Sequence, residues 1–378
     1  MGYNPSADIV RIAGAVEKAP SVFNTRPWVL RFPAADRIEL RLPNLGDLDR
    51  SQLREYTISC GAALFNLRLA IRVAGHDLAV WELPDPEHDI TLLASVEVMT
   101  GRIKKPTIKE QELYEAIWRR HTNRSPYKIV PAPLPVIVAM EGAAAEEGAW
   151  LRLLHTHQAK KWMHLAAKVD RDPAFHPPFP NHVPAANYGP PPKNRYPRTR
   201  KDFWLGNEQQ RFEHKPQLMA LSTDDDQPLD WLRAGQALQR AILTGTRYSA
   251  SAPYGLTAQY HAPPRYGVPA RRHLLTRHDE LAHYGLSVSF LTQPLERDDI
   301  AAVARRWPWR WRFPELPEMV VRVGYAADEP PPTQRLQPDS LDAWPQLPRQ
   351  PSQRTLPRPD SAIEEFRPVR SFLATVNS

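Results

Sequence analysis

The placement of prolines constrains this sequence more than any other feature. The chain of 378 residues contains 41 prolines against 16 glycines, and nearly half of the prolines lie in two stretches, residues 172–200 and 329–370. Because proline has no amide N–H and a fixed φ, neither stretch can form a helix interior or a central strand. We therefore expect two long irregular segments, an excursion within the fold and an extended tail.

Cysteine content, charge and hydropathy exclude several classes of protein. The single cysteine, Cys60, cannot form an internal disulfide or complete a multi-cysteine metal site, and we predict no metal. The net charge of +7 is small for a chain of this size, which argues against a nucleic-acid partner. The sequence shows no signal peptide and no apolar run that could span a bilayer. We expect a cytoplasmic protein without a membrane partner.

Elsewhere the residue pattern alternates between the periods of helix and strand. The clearest helix follows the N-cap candidates Asp49 and Ser51, buries one face around Cys60 and ends at Gly75. The other predicted helices are residues 8–18, 109–119, 135–147, 158–169 and 228–244, and the predicted strands are residues 37–42, 79–83, 90–99, 150–154 and 319–324. This order, repeated in a second round, predicts an α+β fold of two related halves.

The usual catalytic motifs are absent. The sequence has no dinucleotide-binding glycine fingerprint, no Walker A loop, no G-x-S-x-G elbow and no H-E-x-x-H pair. The corresponding nucleotide, hydrolase and zinc-protease functions therefore have no support.

Three separated segments contain groups that make chemical sense together. Residues 113–127, LYEAIWRRHTNRSPY, place arginines and a threonine at a predicted helix end, which suits a phosphate. Residues 19–32, APSVFNTRPWVLRF, form a turn of small polar groups before a strand, where Asn24 offers both a donor and an acceptor to a heterocycle. Residues 320–335, VVRVGYAADEPPPTQR, are a strand followed by prolines.

Together with four further motifs, these segments resemble the nitroreductase superfamily, specifically the flavin-binding Acg-type proteins that fuse two nitroreductase-like halves in one chain. The further motifs are CGAALFNLRLAIRVAG at residues 60–75, VPAANYGP at 183–190, DWLRAGQALQRAIL at 230–243 and GLSVSFLTQPLE at 285–296. All occur in the family's order, and the resemblance covers residues 8–336.

The resemblance implies a nitroreductase-like α+β fold in which residues 1–105 and 106–336 form an internal pseudo-dimer, with a proline-rich tail at residues 337–378. Such a chain would be a monomeric pseudo-dimer or a homodimer. Residues 172–200 correspond to a lid-like loop over the flavin. Residues 245–283 are an insertion that either shapes a substrate pocket, contacts a partner, or is a surface excursion without function.

The resemblance also implies FMN as the cofactor, and it implies that no side chain is catalytic because the flavin N5 carries the chemistry. It assigns the phosphate and ribityl chain to Arg120, Thr122 and Arg124, with Arg322 or Arg335 closing the phosphate. It assigns the polar edge of the ring to Ser21 and Asn24, and it adds Gln236 less directly. Because the N-terminus lacks an equivalent of the Arg120 segment, we expect one FMN per chain.

Arg26 departs from the family pattern, which usually has Gln after Asn-Thr. A cation near the pyrimidine edge would favour the anionic reduced flavin and raise its potential. A side chain pointing into solvent would have no such effect, and the sequence leaves both alternatives open.

The function implied is an FMN-dependent oxidoreductase that transfers two electrons as hydride to or from a small organic substrate, with NAD(P)H as a candidate reductant. One alternative is a flavin-storage or redox-sensing protein with little turnover. Another is a scaffold that has lost flavin and binds proteins.

Overall fold

The computed structural model describes residues 5–43, 48–123, 127–128, 130–170, 216–250, 286–295, 300–301 and 316–325. These residues form a mixture of helix and sheet, which agrees with the predicted α+β class. The lid-like loop, the tail and most of the insertion lie outside the described residues. In the part of the chain that is described, no helix is long and apolar enough to cross a membrane.

Six helices and eight strands make up the described fold. The helices are α1 (Pro5–Glu17), α2 (Arg50–Val73), α3 (Ile108–Arg119), α4 (Leu134–Ala145), α5 (Thr156–Asp170) and α6 (Pro228–Ala250). The strands are β1 (Val29–Ala34), β2 (Arg37–Arg41), β3 (His76–Glu82), β4 (Leu92–Ile103), β5 (Trp150–Leu153), β6 (Gln217–Thr223), β7 (Leu286–Phe290) and β8 (Leu316–Tyr325).

Helix α2 is the 24-residue helix that the sequence predicts. Asp49 caps the first turn: its carboxylate accepts a hydrogen bond from the Gln52 N–H, and the Gln52 side-chain oxygen accepts one from the Asp49 N–H. Gly75 follows the last turn with a φ of 93°, the left-handed conformation that favours glycine. Local capping thus fixes both ends of this helix.

Two antiparallel sheets have the same strand order in space. The first sheet is ordered β1-β2-β4-β3 and the second β5-β6-β8-β7. In both sheets a long helix joins the second strand to the third: α2 connects β2 to β3, and α6 connects β6 to β7. The strand order and the place of the long helix therefore repeat, although α5 lies between β5 and β6 and no helix lies between β1 and β2.

The two long helices cross at a pair of glycines. A Cβ added to Gly61 of α2 would lie 2.9 Å from the Cα of Gly235, and one added to Gly235 would lie 2.8 Å from the Cα of Gly61. Each of these Cβ positions would also meet the carbonyl oxygen three residues before the opposing glycine, at Leu232 or Ile58. The contact is therefore reciprocal and requires glycine on both helices.

A buried ion pair also joins the two sequence halves. Arg54 of α2 donates to the Glu318 carboxylate of β8 at 3.0 Å and to its backbone carbonyl at 2.8 Å. The side chains are 3% and 0% exposed, and Glu318 also accepts a hydrogen bond from Thr223. Removing either partner would strongly destabilise the fold, because the other charge would stay buried without its counter-charge.

The structure adds two strands that residue patterns alone did not predict, β6 and β7. Strand β6 is almost entirely buried, and its sequence lacks the polar alternation by which a half-buried strand is recognised. Strand β7, LSVSF, does alternate apolar residues with serine, but it is only five residues long. Helix α6 also continues to Ala250, beyond the predicted end at residue 244. The first residues of the predicted insertion at 245–283 are therefore helical.

Candidate functional site

The polar turn predicted after the first helix is present and has an unusual backbone. Residues Val22–Asn24 form one turn of 3-10 helix, and both Asn24 and Arg26 have positive φ, 59° and 49°. Ser21 stabilises this shape, because its Oγ accepts the Arg26 N–H at 3.0 Å. Positive φ is uncommon for residues other than glycine, and such strain is concentrated at functional sites.

Helix α2 holds the turn from one side. The Val22 N–H donates to the Ser59 Oγ at 3.1 Å, and the Ser59 hydroxyl donates to the Glu55 carbonyl at 2.7 Å. At the end of the turn segment, the Cys60 thiol donates to the Pro27 carbonyl at 3.3 Å. The turn is thus attached to the helix by side chains from two successive residues.

The end of α1 holds Arg26. The Arg26 guanidinium donates to Glu17 at 2.7 Å, and the Trp28 indole donates to the other carboxylate oxygen of Glu17 at 3.1 Å. The Arg26 side chain is 13% exposed. The alternative in which Arg26 points into solvent is therefore wrong, and its positive charge is paired with Glu17.

Arg120 brings the predicted phosphate segment against this turn. The residue follows α3 and is 6% exposed. Its guanidinium donates to the backbone carbonyl of Lys18 at 3.3 Å and approaches the Thr122 hydroxyl at 3.4 Å. Lys18 lies just before the polar turn. Residues that are a hundred positions apart in the sequence are thus joined by one side chain.

The residues after Arg120 run along β7, at the edge of the second sheet. Thr122 forms a parallel bridge with Val288 of β7, and the Asn123 N–H donates to the Val288 carbonyl at 3.1 Å. These backbone bonds fix the direction in which the segment leaves α3. We call residues 21–26 together with residues 120–123 the composite site.

Arg322 supports the composite site from within the second sheet. It is fully buried, donates to the Ser289 hydroxyl at 3.0 Å and reaches the Asn123 carbonyl at 3.4 Å. Its guanidinium lies 4.0 Å from the centre of the Tyr127 ring, and the Tyr127 hydroxyl donates to the same Asn123 carbonyl. Arg322 therefore anchors the segment that carries Thr122, and its direct contact with a phosphate stays a prediction.

Gln236 lies in a different network. Its amide donates to Glu82 at 2.6 Å and accepts from Arg68 at 2.6 Å. Both functional groups of the Gln236 amide are therefore engaged by these side chains, and its contact with a flavin stays a prediction.

Two predicted residues, Arg124 and Arg335, lie outside the described residues. Sequence reasoning in turn missed the residues that hold the composite site: Glu17, Ser59, Asn123, Ser289 and Tyr127. Each acts on a partner that is remote in the chain or on a backbone atom, and no sequence spacing signals such a contact. The predicted residues were found because they belong to recognisable motifs.

The composite site offers mainly binding groups. Burial raises the pKa of the Cys60 thiol far above its ordinary value, so this thiol stays protonated and is not a nucleophile. Among the described residues no group of histidine, cysteine and carboxylate side chains could hold a metal ion. What the site offers is two guanidinium groups, hydroxyls, two primary amides, the imidazole of His121 and backbone groups of a strained turn.

This chain is similar over most of its length to proteins from two strains of Mycobacterium tuberculosis. "Putative NAD(P)H nitroreductase Rv3131", from strain H37Rv, is 27% identical across 373 aligned residues, which cover 90% of this chain and 93% of that protein. "Putative NAD(P)H nitroreductase MT3217", from strain CDC 1551, matches to the same extent. No protein-family model matches the chain.

Proposed function

We propose that this chain, whose resemblance to the nitroreductase superfamily the two mycobacterial relatives confirm, is an FMN-dependent oxidoreductase with one FMN in the composite site. When bound, FMN would supply two-electron hydride transfer. The relatives' names support NAD(P)H as the reductant and a small molecule as the substrate.

One observation carries this proposal: the bond between Arg120 and the Lys18 carbonyl. It joins Lys18, three residues before the polar turn and within residues 1–105, to the basic segment in residues 106–336. Nitroreductases bind flavin between two subunits, and a fused pseudo-dimer would bind it between its halves. The matching strand orders of the two sheets and the reciprocal glycine crossing support such a pair of halves.

The donor set of the composite site fits FMN. Arg120, Thr122 and Arg124 would bind the phosphate and ribityl chain, because a guanidinium with nearby hydroxyls suits a dianion. Ser21 and Asn24 would address the polar edge of the ring. The Ser21 hydroxyl already accepts a backbone N–H and retains its own proton for donation. The absence of a reactive side chain among these assigned donors agrees with a cofactor that carries the chemistry.

Two neighbouring arginines allow a sharp test of the phosphate assignment. Arg120→Ala should weaken FMN binding by about 10- to 100-fold, since hydrogen bonds to a charged group contribute roughly 1.5–3 kcal/mol. Arg119→Ala removes the same charge from the exposed neighbour on the same helix end and should leave FMN affinity unchanged. Fluorescence titration of the stripped proteins with FMN gives both affinities.

Because Arg120 also contacts Lys18, thermal unfolding of both variants controls for a folding defect. Equal FMN affinity in a folded Arg120→Ala variant would refute the assignment. Turnover is tested separately by adding NADH or NADPH to the flavin-bound protein without oxygen. Rapid bleaching of the flavin absorbance supports an oxidoreductase, whereas slow or no bleaching supports flavin storage or sensing.

A further inference from the structure

A second polar cavity lies away from the composite site. A cleft of about 400 Å³ opens between α2, β3, α6 and the residues that lead into α3. This volume is in the range of small-molecule pockets, roughly 300–1,000 Å³. Part of its lining is apolar, formed by Phe65, Leu69 and Leu113. We call it the cationic cleft because its remaining lining carries five cations: Arg68, Arg72, Lys104, Lys109 and Arg240.

The cationic cleft occupies the place in the second repeat that the composite site occupies in the first. If the crossing glycines Gly61 and Gly235 are paired, Asn66 corresponds to Arg240. Asn66 donates to the Ala15 carbonyl near the end of α1 at 2.8 Å, and Arg240 donates to Glu147 just beyond the end of α4 at 2.7 Å. The composite site lies beside α1 and β7, and the cleft lies beside α4 and β3.

The charges that line the cleft do not balance. Five cations face four carboxylates: Asp77, Glu110 and Glu146 in the lining, and Glu147 next to it, which pairs with Arg68 and Arg240. Lys104 donates to Asp77 at 3.2 Å, and Lys109 donates to Glu146 at 2.6 Å. An ammonium group has three N–H donors, so within the described structure both lysines retain donors for water or a ligand. Both side chains are about half exposed, which lets them adjust to a ligand.

The cations of the cleft also destabilise one another. Burial lowers the pKa of Lys109, and the charges of Arg240 and Arg247 lower it further. Burial likewise lowers the pKa of Arg240, with an added contribution from Arg68. An anion bound among these side chains would relieve the repulsion.

We propose that the cationic cleft binds an organic phosphate, with the phosphate held by Lys104 and Lys109 and the apolar part of the ligand packed against Phe65, Leu69 and Leu113. Lysine ammonium groups bind phosphate as point charges, and the apolar lining selects a ligand with a ring or hydrocarbon body. The site is separate from the proposed flavin site and does not require flavin to be bound there.

Calorimetric titration of the full-length chain as purified, with no FMN added, tests this proposal, because excess FMN is itself an organic phosphate that would compete for the cleft. The probes are AMP, adenosine and inorganic phosphate at constant ionic strength. AMP should bind, and adenosine and phosphate should each bind at least about tenfold more weakly, because each lacks one of the two recognised parts. The double variant Lys104→Gln/Lys109→Gln should weaken AMP binding by at least about tenfold.

The matched control is Lys160→Gln, which neutralises an exposed lysine on α5 outside the cleft and should bind AMP as the parent chain does. The proposal is overturned if AMP does not bind or binds the double variant as tightly as the parent chain. It is also overturned if inorganic phosphate binds as tightly as AMP. FMN content, measured separately by absorbance, decides the flavin proposal independently of these results.

Discussion

The composite site and the cationic cleft lie at corresponding positions of two equally ordered sheets, yet they are built from different interactions. Beside α1, the buried Asn66 amide contacts a backbone carbonyl, and residues 18–28 form a long polar connection to β1. Beside α4, Arg240 contacts two carboxylates, Glu146 and Glu147, in a short connection to β5. The first arrangement leaves a loop that can shape a binding site, and the second lines the same place with ion pairs.

This difference shows how a repeated fold can specialise. The crossing glycines keep the backbones of α2 and α6 equivalent, so the divergence lies in connection length and in side-chain charge. A neutral amide such as that of Asn66 can hydrogen-bond a carbonyl near the end of α1 without requiring charged side chains nearby. An arginine in the same place requires carboxylates close by, and Arg240 finds them in Glu146 and Glu147.

The largest expected effect comes from breaking the helix crossing on which both sites depend. Gly61→Ala would press a methyl group against the backbone of α6 and should lower the free energy of unfolding by about 3 kcal/mol. Gly142→Ala is the control, since a Cβ there meets no atom within 4 Å, and it should raise stability by roughly 0.5–1 kcal/mol. Urea unfolding measures both, and equal stabilities would contradict the crossing.

The next test compares the two corresponding side chains directly. Asn66→Ala removes a buried bond to α1 and leaves the Gln239 amide without its acceptor, so it should cost about 2 kcal/mol of stability and also weaken FMN binding. Arg240→Gln should cost a similar amount of stability, because the buried Glu147 carboxylate loses Arg240 and keeps its ion pair with Arg68. FMN affinity should not change. Equal effects of both variants on FMN would show that the two places are not specialised.

A smaller effect is expected from the Glu17 and Arg26 pair at the composite site. Glu17→Gln removes the carboxylate that pairs with Arg26, so the midpoint potential of bound FMN should rise by roughly 20 mV. Arg26→Gln should shift the potential in the opposite direction. Spectroelectrochemical titration measures both shifts. No shift in either variant would place Arg26 away from the redox-active ring.

The smallest effect concerns the wall of the cationic cleft in acid. Burial alone would raise the pKa of Glu110, but hydrogen bonds from Arg72 and Thr107 outweigh it, so the folded-state pKa lies below the ordinary value of 4.5. The contribution of Glu110 is therefore complete above that value and is lost as the pH falls through the lowered pKa.

Glu110→Gln should accordingly cost about 0.5 kcal/mol at neutral pH, a cost that disappears in acid. Unfolding free energies of both proteins across the acid range test this. A difference that does not depend on pH would contradict the assigned pKa.

The sequence predicted the local features of this fold well. The capping of α2 by Asp49, its end at Gly75 and the strands that flank it follow from short-range rules of helix ends and residue period. That the turn of Ser21 and Asn24 and the segment of Arg120 and Thr122 form one flavin site was predicted only through the family resemblance; Arg120 contacts Lys18 just before that turn, and the flavin site itself stays a prediction.

The contacts between residues remote in the chain could not be predicted from the sequence. Nothing in the residue order indicates that Glu17 pairs with Arg26 and Trp28, or that Gln236 binds Arg68 and Glu82. These contacts depend on how α1, α2 and α6 pack. Strand β6 escaped for a related reason, because its almost complete burial removes the alternation that marks a half-buried strand.

The central claim, one flavin at the composite site, is tested most directly by the visible absorbance spectrum of the freshly purified full-length chain, repeated after heat releases any bound flavin. The account predicts a flavin spectrum and about one FMN per chain, as the single composite site requires. Two FMN per chain would contradict the asymmetry between the composite site and the cationic cleft. No flavin, even after incubation with excess FMN, would contradict the proposed function itself.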